Sequence, residues 1–268
     1  MDSSQTTMQA GTKTVEDINT VSEYLSNPDL STLSAADCIV ICASAILHQA
    51  ENLFQSLQTN PSLTKCLVLC GGIGHSTHYI HEAVANHPIF SRIAGDVIGL
   101  SEARVLEKIL NEFFDTDTIT SHGCQILVED KSTNCGLNAS LSRNVLDKAG
   151  IHPTTCIIIQ DPTMMRRTIA SFKKAYEDVI HIPEFIGYPV FVPRMTVKDV
   201  VLAYDDSIPT ALWPQSRFLE LLIGEIPRLR DDENGYGPNG KGFIPHVEVP
   251  HRVEEAWMRL RGVSDATR

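Results

Sequence analysis

Apolar residues along this chain alternate between two rhythms. The short continuous runs DCIVICA (37–43), CLVLC (66–70), QILVE (125–129) and TCIIIQ (155–160) are rich in aliphatic residues. Such runs read as strands buried on both faces. Between them, apolar positions recur at helical spacing over Val15–Leu25, Ala45–Leu57, Thr77–Asn86, Ser101–Phe114, Cys135–Ala149 and Met164–Tyr176. Gly150 supplies a stop for the fifth of these segments. A further short run, Val179–Ile182, is expected to close the strand series. This alternation predicts an α/β fold, Rossmann-like and doubly wound, with a mostly parallel sheet covered on both faces.

Past residue 182 the pattern loosens. Residues 183–213 are punctuated by proline and read as irregular, and Pro214–Leu229 reads as a helix. DDENGYGPNGKG (231–242) reads as a turn-rich loop, and Pro250–Leu260 as a closing helix. The expected division is a disordered tail over 1–12, a Rossmann-like domain over 13–185, and a C-terminal, mainly helical lobe over 186–268 packed on the same domain.

Composition narrows the function classes. Thirty-three acidic against 22 basic residues give a net charge of −11. A general nucleic-acid binder needs a basic surface to displace counterions, so no nucleic-acid partner is expected. No apolar run approaches the about 20 residues of a membrane span, and MDSSQTTMQAGT lacks the apolar centre of a signal peptide. The expectation is a soluble, cytoplasmic protein with a small-molecule ligand. Seven cysteines occur without a CxxC pair. Cys38, Cys42, Cys66 and Cys70 sit in strand-like runs and read as small hydrophobes.

Open α/β sheets bind ligands outside the carboxyl ends of their strands. Here CLVLC runs into Gly71-Gly72-Ile73-Gly74-His75-Ser76-Thr77, and QILVE into Asp130-Lys131-Ser132-Thr133-Asn134. TCIIIQ runs into Asp161-Pro162-Thr163, with Arg166 and Arg167 one turn further on. Glycines let a backbone approach a ligand closely, while Ser76, Thr77, Ser132 and Asn134 either cap helices or share their free N–H groups with an anion. Two arginines in a first helical turn oppose the macrodipole, so at least one is expected to reach an anion or a carboxylate. GGIGHST alone does not match GxGxxG and lacks the lysine of a P-loop, which leaves tight turn and ligand cradle both open.

Glu102, Glu129, Asp130 and Asp161 lie near the same edge. Carboxylates there suit Mg²⁺, ribose hydroxyls or general base chemistry. Asp130 is read as a cap or as exposed. His75, His78 and His81 with Glu82 lack a correctly placed further ligand, so no metal site is assigned, and His75 is kept as a ligand-facing residue. Cys135, at a helix start, is either a nucleophile or a packing residue. No GxSxG elbow is present.

GGIGHST, Glu102-Ala103, EDKSTNCGLNA (129–139) and QDPTMMRRTIASF (160–172) together resemble the YdcF/SanA-like family, a domain of unknown function. LWPQSRFLELLIGEIPRLRDDENGYGPNGKGFIPHVEVP (212–250) resembles the C-terminal signature of its YdcF branch, so the likeness spans nearly the whole chain. The resemblance implies a Rossmann-like fold and motif positions at Gly71, Gly72, Glu102, Glu129, Ser132, Asn134, Asn138, Asp161 and Arg167. It also implies S-adenosyl-L-methionine as ligand; the envelope role of membrane-anchored SanA-like relatives is not carried over. The chain departs from the family at Met164, where SanA-like members tend to carry histidine, and at Leu137, commonly glutamate.

The leading expectation is therefore a transferase-like enzyme binding S-adenosylmethionine or a nucleotide-like ligand. Its catalytic candidates are Glu102, Glu129 and Asp161, with Glu129 facing ligand hydroxyls. Its ligand-binding candidates are Gly71, Gly72, Gly74, His75, Ser132, Asn134, Asn138 and Arg167. A phosphoester- or pyrophosphate-cleaving hydrolase using the three carboxylates with Mg²⁺, and a non-catalytic binding or regulatory module, are the alternatives.

Overall fold

The computed structural model describes residues 11–199 and 201–266. In chain order the elements are α1 (Thr12–Ser26), β1 (Ala36–Cys42), α2 (His48–Thr59), β2 (Thr64–Cys70), α3 (Thr77–Asn86), α4 (Glu102–Phe113), α5 (Thr116–Thr120) and β3 (Gln125–Glu129). There follow α6 (Cys135–Lys148), β4 (Thr155–Ile159), α7 (Met165–Ala175), β5 (Glu184–Gly187), β6 (Met195–Lys198), β7 (Val201–Tyr204), α8 (Gln215–Leu229) and α9 (His251–Ala266). β1 to β5 form one sheet in the order β3-β2-β1-β4-β5, with every pairing parallel. The winding reverses between β1 and β4, which makes this a Rossmann-like, doubly wound α/β fold.

Side chains alternate across a strand, and here the alternation sorts residues by size. Ile39, Ile41, Leu67, Leu69, Ile157 and Ile159 point to one face, where α2, α3, α4 and α5 cover them with Leu53, Phe54, Ile80, Ile109 and Ile119. Cys38, Val40, Cys42, Cys66, Val68, Cys70 and Cys156 share the other face, under Ala139, Leu146, Ile169 and Phe172 of α6 and α7. The cysteines of these strands are thus the small apolar residues of a buried face. All seven cysteines are free and buried.

The structure moves the last strand of the sheet. Val179–Ile182 is not a strand; Ile180 is 93% exposed and Ile182 50% exposed. β5 begins after Pro183, and its register sets Phe185 beside Cys156, packed against the rings of Phe172 and Tyr176. Residues 183–213 also hold the antiparallel hairpin β6–β7, whose four-residue strands are too short to show in the apolar pattern. Of the expected tail, residues 1–10 lie outside the described residues, and α1 already begins at Thr12.

A second core joins the two ends of the chain. Ile18, Val21 and Leu25 of α1 pack with Phe218, Leu222 and Ile226 of α8 and with Val253 and Trp257 of α9. Arg259 of α9 donates to both Asp17 oxygens of α1, each at 2.8 Å. Among the described residues, no helix is long and apolar enough to cross a membrane.

Asp37 ties the entrance of β1 to that of β4. Its Oδ2 accepts the Thr154 hydroxyl (2.6 Å) and the backbone N–H groups of Thr154 (2.9 Å) and Thr155 (3.0 Å). These bonds, the Thr154 hydroxyl foremost, hold the carboxyl below its ordinary range. A depressed folded-state pKa contributes stability that is present above the unfolded value and lost as pH falls through the folded one. Asp37→Asn is expected to flatten the acid limb of the stability curve, read as urea midpoints between about pH 3 and about pH 7.

Candidate functional site

The glycine loop is shaped by chain packing before any ligand is considered. Gly71 continues the β2–β3 pairing by donating its N–H to Glu129 O at 2.9 Å. Its φ of +148° disfavours any side chain, and a Cβ there would stand 2.9 Å from Glu102 Cβ. A Cβ on Gly72 would stand 2.0 Å from the Ser132 carbonyl oxygen, so the end of β2 lies directly against the loop after β3. Gly72 N–H also donates to Ser132 Oγ at 3.1 Å. The glycine pair thus joins two strand-end loops, and Gly71 does not line the cavity described below.

Glu129 organises the same junction. One carboxylate oxygen accepts Lys131 N–H (2.8 Å) and Ser132 N–H (2.9 Å), and the other accepts the Cys70 thiol at 3.3 Å. It is buried and does not line the cavity, so it does not face ligand hydroxyls as expected. The tight turn after β3 leaves two N–H groups that this carboxylate satisfies, which turns the side chain inward.

A cavity of about 1280 Å³ opens at the carboxyl ends of the sheet, including the β1/β4 reversal. Glu102, Asp161, Gly72, Gly74, His75, Ser132, Asn134, Asn138 and Arg167 all line it. The loop after β1 (Ala43, Ser44) adds a wall absent from the sequence expectation, although the strand-end rule applied to β1 finds it. The C-terminal lobe adds Ile208 to Pro214, Arg217, Glu225, Arg228 and Tyr236. Their remoteness in sequence from the strand ends gave no local signal.

Glu102 sits at the first turn of α4. Gly74 N–H donates to Thr77 Oγ1 at 2.8 Å, and Thr77 donates to Glu102 Oε1 at 2.9 Å. Among the described residues Oε2 has no hydrogen-bond partner, and burial raises the proton affinity of the group despite the Thr77 bond. A carboxyl group with one fixed and one uncommitted oxygen suits acid–base work. Ser101, at the N-cap of α4, makes no side-chain cap bond.

Asp161 has no such freedom. Oδ1 accepts Thr163 N–H (2.9 Å) and Oγ1 (2.6 Å), and Oδ2 accepts the Trp213 indole N–H at 3.0 Å. Burial foremost raises its pKa. Both oxygens are spent on holding the loop after β4 and the 208–214 segment, a role different from the expected catalytic one.

Arg167 reaches a carboxylate, as its position against the helix dipole predicts. Nε and Nη2 donate to Glu225 at 2.6 and 3.0 Å. Burial alone would lower its pKa, but the Glu225 carboxylate bonded to it outweighs that and raises it. Arg166 instead donates to Tyr24 O at 2.6 Å, with its guanidinium 4.0 Å from the Tyr24 ring centre. Asn134 caps α6 by accepting Leu137 N–H at 3.0 Å, and the half-buried Asn138 side chain faces the cavity without a hydrogen bond. Cys135 is buried, 3.0 Å from Thr168 Oγ1, and burial raises its pKa, which is packing chemistry rather than that of a nucleophile.

His75 is exposed at the cavity rim, whereas His78 lies against the Tyr79 ring and His81 bonds Leu100 O. Among the described residues, no three His, Cys, Asp or Glu side chains are grouped to hold a metal ion. Asp130 pairs with Arg104 at 2.8 Å and with Lys131 at 3.2 Å.

Two outcomes follow from this geometry. Gly72→Ala is expected to cost about 2 kcal/mol or more in urea unfolding, because its Cβ meets backbone that cannot retreat. Gly95→Ala, where a Cβ meets nothing within 4 Å, is expected to cost no stability. Thr77→Val removes a bond that favours ionised Glu102, so the carboxyl pKa read by ¹³C NMR is expected to rise further.

No family model matches the chain. Over 137 residues, 51% of this chain, it is 27% identical to an uncharacterized protein of Streptomyces coelicolor. The match spans about half, 52%, of that protein's length.

Proposed function

We propose that the protein belongs to the YdcF branch of the YdcF/SanA-like family and acts in the cytoplasm as an S-adenosyl-L-methionine-dependent, transferase-like enzyme. The observation that carries the reading is the cavity at the sheet reversal, lined by every candidate residue except Gly71 and Glu129. Crevices in this position are where doubly wound sheets hold nucleotide-like ligands.

Charge favours a ligand with a positive centre over a polyphosphate. Glu51, Glu82, Glu102, Asp161, Glu220 and Glu225 line the cavity against Arg167, Arg217 and Arg228, and Arg167 is already matched by Glu225. A sulfonium gains from such surroundings, and clustered phosphates lose. In this reading Glu102, which lines the cavity, is the acid–base group, with its Oε1 fixed by Thr77. Hydrolysis through Glu102, Glu129 and Asp161 with Mg²⁺ fits less well. Glu129 faces its own loop and Asp161 has both oxygens engaged, so the three carboxylates do not converge on an ion.

Titration calorimetry with S-adenosyl-L-methionine tests the reading. One equivalent is expected to bind, and ligand at about 100 times Kd is expected to stabilise the fold by about 2.7 kcal/mol. Glu102→Gln is expected to weaken binding about tenfold. No heat at millimolar ligand, or unchanged affinity in the variant, would overturn it.

A further inference from the structure

Two arginines and one glutamate that line the cavity form an unbalanced ion cluster. Glu225, on α8, accepts Arg167 Nε at 2.6 Å on one oxygen. Its other oxygen accepts Arg167 Nη2 at 3.0 Å and Arg228 Nη1 at 2.9 Å. Two guanidinium groups share one carboxylate, so the cluster of these three side chains carries one positive charge. The Arg167 side chain is 11% exposed and that of Glu225 3% exposed, while that of Arg228 is 42% exposed, so the second cation of the cluster is the one open to solvent or ligand.

Donors remain on both arginines. Arg167 Nη1 and Arg228 Nη2 make no hydrogen bond, and both residues line the cavity. Asn138 lines the same cavity, and among the described residues its side-chain amide has no hydrogen-bond partner. Two charged donors, one from each guanidinium, and an amide suit the oxygens of a carboxylate.

We infer that this cluster is a carboxylate-binding subsite, in which Arg167 Nη1, Arg228 Nη2 and the Asn138 amide hold one monoanionic carboxylate of the ligand. One monoanion cancels the excess charge. A phosphate dianion would leave the three-side-chain cluster with a net negative charge next to the buried Glu225 carboxylate. The ligand class is thus a molecule with one free carboxylate, which under the proposed function is the amino-acid end of the adenosyl ligand. Only the choice of adenosyl probes rests on the proposed function; the subsite itself rests on the arginine pair.

The test compares S-adenosyl-L-homocysteine with 5′-methylthioadenosine, which keeps nucleoside and thioether but lacks the amino acid. Wild-type protein is expected to bind the first about tenfold or more tightly than the second. Arg228→Gln, checked for an unchanged circular dichroism spectrum, is expected to shrink that ratio to under about threefold while methylthioadenosine affinity holds. If neither adenosyl compound binds, the proposed function fails, and the subsite is read separately with L-methionine and inorganic phosphate. L-Methionine is then expected to shift the Arg167 Nε–H resonance in wild type and not in Arg228→Gln. Equal affinity for the two adenosyl compounds, a resonance shifted by phosphate and not by L-methionine, or no shift with either would overturn the subsite.

Discussion

One buried carboxylate joins the two halves of this molecule. Glu225 belongs to α8 of the C-terminal lobe, and its partner Arg167 begins α7 under the sheet. A carboxylate this buried is tolerable only while its cations are in place, because losing one partner of such a pair typically costs about 3–5 kcal/mol. The pair therefore constrains where the lobe sits. From that placement follow the 208–214 wall, the Trp213 contact with Asp161, and the enclosure of the strand ends.

Much of the sheet was legible in the chain itself. Continuous aliphatic runs bounded by turn residues placed β1 to β4 within two residues, because such strands are buried on both faces and tolerate no polar interruption. β5 was missed for a physical reason. As an edge strand of four residues it carries only Phe185 and Ile186 as large apolar side chains, while the nearby Val179–Ile182 is apolar without being buried. The β6–β7 hairpin escaped for the same lack of length.

The site was legible as a place more than as a set of roles. Strand ends rich in glycine and polar residues do meet at one cavity, but Gly71, Gly72 and Glu129 turned out to be answering the backbone around them. A glycine required by the Ser132 carbonyl and a glycine required by a ligand look identical in sequence. A carboxylate after a strand likewise satisfies its own loop or a ligand hydroxyl, and only the two N–H bonds at Glu129 decide between them. Glu225, Arg228 and Tyr236 lay outside reach, since nothing local marks a helix in the last third of the chain as returning to the strand ends.

The cysteine face of the sheet has a consequence of another kind. Every one of the seven thiols is buried, and those of Cys38, Cys66 and Cys70 are held protonated by burial and by neighbouring thiols. A thiol in that state reacts with an alkylating reagent only after its strand or covering helix has parted from its neighbours. Cys124, at the entrance to β3, and Cys156, in β4, stand in different parts of the sheet. Their alkylation rates would therefore time the opening of separate regions, so the chain carries its own residue-by-residue clock of how the fold comes apart.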